Sequence, residues 1–333
     1  MRQISVLTGV LLIIFFGVPL ASSQTSHAFL WTQRRGMQDL GTLQGWQNSA
    51  GFAIDGSGEV VGEATLNSDS TAVSWTRTSG IQSLAGLSMT YSVAFGVNAS
   101  GQVVGSTYTT GTTIHAFLWT TAQGMQDLGT LPGGTFSAAG SVNKSGEVVG
   151  IADSASGATH AFLWTQSTGM QDLGTLAGGT TSEATSINDY GQIAGWATNS
   201  KGVAVAVVWL NGKIKSLGAL SAKGGGSFAT RINNLGQVTG YSGRTGGIDA
   251  FLWSSSTGMQ DLGGLPGSND TQATGINNSG QIVGWSVLPS GAAHAFLWTS
   301  ATGMQDLGTL GGLSSFAYAI NDTGAITGFS DLP

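Results

Sequence analysis

The groups in this sequence that could do acid–base work are the carboxylates that fall outside its regular pattern: Glu63, Asp69, Asp153, Glu183 and Asp270. Two carboxylates facing one cleft at a set separation would suit glycoside hydrolysis. Glu183 and Asp270 are the pair best placed for that, with Arg231 between them where its counterparts are small. The plainer expectation is a set of solvated rim charges around a narrow axial channel, with binding of a polar ligand the next reading and catalysis the last. Aromatic residues offer a second chemistry. Trp196, Tyr241, Trp285 and Phe329 follow an equivalent glycine in consecutive stretches, where other stretches carry Glu63, Ser106 and Ile151. Flat rings at a loop mouth stack on sugar faces or anchor a protein partner, although packing inside the fold is the simpler use. Their one-sided distribution is what a binding arc requires. Trp46 is also off pattern.

The four histidines read differently. His27, His115, His160 and His294 occupy one repeated position, and each stands twelve residues before an aspartate: Asp39, Asp127, Asp172 and Asp306. Equivalent positions on separate repeats lie too far apart to share a metal ion. Each pair is therefore expected to brace its own hairpin, charge-assisted when the histidine is protonated. Two repeats place Thr71 with Ser83 and Val205 with Ser216 instead, and a third places Asp249 with Asp261. The N-x-x-G runs, such as Asn188–Gly191, are expected to be hairpin turns. A calcium loop converges six or more oxygens, and Asp55-Gly-Ser-Gly-Glu59 supplies too few. No metal or cofactor is expected. The chain has no cysteine, which removes thiolate chemistry and disulfides together. No nucleophile triad or phosphate-cradling glycine loop stands in a suitable strand–helix context.

The elements that must position these residues follow from a repeat. The tryptophan closing AFLW recurs at Trp31, Trp75, Trp119, Trp164, Trp209, Trp253 and Trp298, at intervals of 44 or 45 residues. A glycine pair, GxxxG, gives the same seven units, from Gly58/Gly62 to Gly324/Gly328. That period, divided into short strands, marks the blades of a β-propeller. One unit reads as four strands: Glu183–Asn188, Gln192–Ala197, Val203–Trp209 and Ile214–Leu220, here called a, b, c and d. Strand a is placed innermost because small residues such as Gly51, Ala94 and Ala184 recur there, where space is least. AFLW is apolar at every position, so strand c is covered on both faces. The expectation is an all-β, seven-bladed propeller of four-stranded blades in residues 24–333. The N-terminal c and d strands would pair with the C-terminal a and b strands, which closes the ring and removes its open edges.

Composition narrows the rest. Charged residues make up 8% of the 333 and hydrophobic residues 41%, a balance that suits a folded chain better than a disordered one. The formal net charge is −6 and the basic residues are scattered, which gives no footprint for nucleic acid or an anionic membrane. Residues 1–23 read as a secretory signal peptide, with Arg2 before an apolar run from Ile4 to Val18, and Ala21 and Ser23 at the cleavage positions. An uncleaved anchor is the alternative. No later apolar run is long enough to span a bilayer, so the mature chain is expected not to insert into a membrane.

HAFLW, GMQDLGTL and INxxGQIVGWS resemble the HAF-repeat family of bacterial extracellular proteins over residues 27–330. The resemblance implies a secreted repeat protein and brings no catalytic residues with it. TAVSWT at 71–76 and VAVVW at 205–209 depart from the motif. The reading is a secreted, extracellular or periplasmic bacterial protein, monomeric and non-enzymatic. It would recognise a polysaccharide or an extracellular protein through its b–c and d–a loops, with Trp196, Tyr241, Trp285, Phe329, Arg231, Glu183 and Asp270 as the ligand-binding residues. A polysaccharide-active hydrolase or lyase is the first alternative, and a structural surface or matrix protein the second.

Overall fold

The computed structural model describes residues 24–333 apart from 85, 86, 88–90, 110–112 and 222–224. The expected signal peptide lies outside the described residues. The described chain is all β, with 28 strands. They form five four-stranded sheets and one of eight strands. The eight-stranded sheet consists of two antiparallel groups, Ser227–Gly263 and Asp270–Asp306, joined by one parallel pair, Ile248 with Asp270. Within each group the strands run a, b, c, d from the centre outward. The unit read from sequence is observed as Ser182–Ile187, Ile193–Thr198, Ala204–Leu210 and Lys213–Gly218. The innermost strands touch in cyclic order, with Ser315–Ile320 against Asn48–Ile54. Hence the sheets surround a central axis, as in a β-propeller.

The ends of the described chain meet in one sheet. Ser26–Thr32 pairs antiparallel with Ile326–Asp331 in the order Gly36–Asp39, Ser26–Thr32, Ile326–Asp331, Ser315–Ile320. This is the c/d-with-a/b closure expected from sequence.

Sequence explains why each sheet holds its shape. Phe162 of strand c is fully buried and lies opposite Gly150 of strand b. A Cβ at Gly150 would collide with the backbone oxygen of Ala138, where strand a bulges, and would meet the Phe162 ring at 2.8 Å. The second glycine of GxxxG is therefore required by two close approaches at once. The first, Gly191 in this unit's successor, has φ of 72° and closes the a–b turn. There Asn188 Oδ1 accepts from the backbone of Tyr190 and Gln192, both at 3.0 Å. The N-x-x-G runs are hairpin turns. At Asp55 one carboxylate oxygen accepts from Ser57 N, Ser57 Oγ and Glu59 N within the turn.

Two side-chain devices fasten sheet to sheet. The serine that opens strand a reaches the preceding sheet. Ser182 Oγ accepts from Ala161 N at 2.9 Å and donates to Gly174 O at 2.7 Å, and Ser49, Ser137, Ser227 and Ser315 do the same in their places. At the a–b turns, the amides of Asn98, Asn143, Asn188, Asn233, Asn277 and Asn321 each donate to the backbone oxygen of the next turn, at 2.8–3.2 Å. The last of these donates to Asp55, whose carboxylate has no hydrogen to pass the chain of bonds on.

Candidate functional site

The b–c and d–a loops share one end of the ring, and strands a and b begin and end there. At that end Glu183 on strand a faces Trp196 on strand b, and Phe228 faces Tyr241 in the next group. The three rings make a continuous stack. Trp196 meets Phe228 edge-on at 5.6 Å between centroids, and Phe228 stacks on Tyr241 at 5.1 Å. All three are half-buried. Beneath them Glu183 is fully buried, and its Oε2 accepts from Trp196 Nε1 at 3.1 Å. Glu183 Oε1 has no hydrogen-bond partner among the described residues. Burial pushes the Glu183 carboxyl up to about 8, the Trp196 bond opposing that only in part. The Tyr241 hydroxyl is pushed up to about 12 by burial and by the Glu183 charge.

The other two aromatics of the expected arc sit in a denser setting. Trp285 and Phe329 are 6% and 8% exposed. Trp285 meets Phe316 at 5.6 Å, Phe316 stacks on Phe329 at 4.8 Å, and Tyr318 and Phe52 extend the cluster. Most of their ring area is covered by the fold, as in the packing alternative. Sequence reasoning passed over Phe228, the middle ring of the open stack. Its signal was available, because the residue before the strand-a alanine is aromatic only at Phe228 and Phe316.

The off-pattern acids are not brought together; four are engaged separately and Asp69 faces solvent. Asp270 Oδ1 accepts from Ile248 N at 3.1 Å, at the seam of the eight-stranded sheet. Asp153 holds the turn at Thr135 and Phe136, both at 2.7 Å. Glu63 accepts from Ser70 Oγ at 2.6 Å, and its carboxyl is raised by burial. Asp69 is exposed at the start of a c strand, and Trp46 is half-buried. Arg231 turns into the central axis, where its Nη1 donates to Thr185 O at 3.0 Å. Among the described residues Glu183, Asp270 and Arg231 share no hydrogen-bond partner.

Each histidine meets its aspartate. His27–Asp39, His115–Asp127, His160–Asp172 and His294–Asp306 lie 2.7–2.9 Å apart, and Thr71 meets Ser83 at 3.1 Å. The aspartate also caps the turn, as Asp172 does for Gly174 N at 2.7 Å. In the unit with two acids Arg244 of strand b pairs with Asp249 of strand c, and Asp261 of strand d keeps the turn cap, accepting from Gly263 N at 2.8 Å. No group of three or more metal-ligating side chains occurs among the described residues.

No family model matches this chain, and no curated protein matches it. Solved structures do. A structure assigned as TolB from Agrobacterium tumefaciens superposes with a TM-score of 0.55 at 11% identity, covering 94% of this chain and 100% of that one. The β-propeller domain of the Trilobed protease from Pyrococcus furiosus gives 0.58 at 8%, covering 86% and 93%. Virginiamycin B lyase from Staphylococcus aureus gives 0.51 at 10%, covering 92% and 99%. At these identities the likeness is one of fold, and the fold is a β-propeller. Propellers host enzymes and scaffolds alike.

Proposed function

We propose that this chain is a secreted, non-enzymatic binding protein of the HAF-repeat kind, a seven-bladed propeller whose b–c and d–a face recognises a polysaccharide. The blade count takes the two groups of the eight-stranded sheet as separate blades, since one parallel pair joins them. The observation that carries the functional reading is the half-open stack of Trp196, Phe228 and Tyr241. Fixed rings with a partly open edge offer sugar faces a surface already held in place, so little ordering cost attends binding. The separate engagement of Glu183 and Asp270 favours recognition over turnover, because a glycosidase needs both acids at one bond.

An array of immobilised polysaccharides, probed with residues 24–333 and assayed for released products, tests this reading. Binding without product supports it. Product release would favour the hydrolase or lyase, and capture of an extracellular protein with no glycan signal would move the face to a protein partner.

A further inference from the structure

The opposite end of the axis carries a different feature. A cavity of about 140 Å³ lies inside the ring, beside the a–b turns. Its wall is made by the last residues of the inner strands, among them Ile54, Val142 and Ile320, and by small residues such as Gly96, Ser141 and Gly275. Among the described residues that line it, Arg231 alone is charged and none is a carboxylate.

The guanidinium is held by one bond, from Nη1 to Thr185 O on the neighbouring inner strand. An arginine carries five N–H donors, and among the described residues the others of Arg231 have no partner. Its side chain is desolvated by the surrounding strands while part of its surface stays open to the cavity. Burial lowers it to about 10, and no charged neighbour contributes, so it remains a cation at neutral pH. A buried charge with no counter-ion is costly, and a bound anion removes that cost. The planar fork matches an oxyanion through two parallel bonds.

We propose that the axial cavity is a binding site for a small oxyanion, a carboxylate above all, held against the glycine-lined wall by the Arg231 donors that the bond to Thr185 leaves unused. The site stands at the other end of the ring from the aromatic stack and does not depend on it.

The test is a set of thermal melts of residues 24–333 in sodium acetate, sodium sulfate and sodium chloride at equal ionic strength, repeated with Arg231→Met and Trp196→Ala. The expected result is a saturable rise in Tm of several degrees with acetate, with or without sulfate, in the native chain and in Trp196→Ala. Arg231→Met should lose that rise and melt no lower than the native chain in chloride, since it removes an uncompensated charge. A response to acetate alone assigns a carboxylate ligand, and a response to both assigns oxyanions in general. The proposal is overturned if acetate and chloride are indistinguishable in the native chain, or if Arg231→Met keeps the full oxyanion response. The second result would trace the effect to salt exclusion at the surface.

Discussion

Replacing Glu183 by glutamine should change how stability depends on pH more than it changes stability at any one pH. The Glu183 carboxyl is fully buried, with one oxygen bonded to Trp196 and the other without a partner among the described residues. It is held at about 8 against an ordinary 4.5. Between those values the unfolded chain releases the proton and the folded chain keeps it, so folding stability falls as pH rises. The loss is about 1.4 kcal/mol per pH unit across that window, roughly 4–5 kcal/mol in all, and it levels off above the folded value. Glutamine cannot ionise and removes that slope. Glu59, Glu63 and Asp331 are also raised by burial, but they act equally in both proteins and cancel in the difference. Urea denaturation from pH 5 to pH 9 is the assay. Glu183→Gln should gain on the native chain steadily, ending about 3 kcal/mol or more ahead of where it began. A constant offset from the new amide would not obscure this, because the slope is what is read. Parallel curves across the range would refute the claim that Glu183 is buried as a neutral acid.

Three smaller perturbations test the fastenings. Ser182→Ala leaves the fully buried Ala161 N–H and the partly buried Gly174 carbonyl without their bonds, and urea melts should show a loss of about 1–3 kcal/mol. Asp55→Asn supplies the missing donor toward Asn98 and should raise stability by roughly 0.5–1.5 kcal/mol in the same assay; a loss would mean that the carboxylate serves another end. His160→Ala breaks a pair whose Asp172 is 42% exposed, so calorimetry should show a fall in Tm of no more than about 2 °C.

Much of the ring was legible because a repeat exposes its own geometry. The AFLW and GxxxG spacings located the strands to within a residue or two, as at Ile193–Thr198, and the split of the chain ends foretold the pairing of Ser26–Thr32 with Ile326–Asp331. The His–Asp brace was readable because both partners vary together. The serine and asparagine fastenings were missed, since each acts across sheets and a single unit shows only half of the bond. The aromatic arc was readable as a set of positions but not as an environment. Whether a ring stands half open, as Trp196 does, or is covered, as Trp285 is, depends on what the neighbouring strand places beside it: Phe228 in one case, Phe316 and the Tyr318 cluster in the other. Arg231 was placed with Glu183 and Asp270 by blade order alone. Its side chain instead turns toward the opposite end of the axis, where it bonds Thr185 O on the neighbouring inner strand.

The most direct test of the binding account is calorimetric titration of the best polysaccharide from the array against the native chain and Trp196→Ala. An anchor ring that contributes about 2 kcal/mol predicts roughly thirtyfold weaker binding by the variant, with its fold unchanged by circular dichroism. Equal affinity of the two proteins would contradict the assignment of the site to this stack.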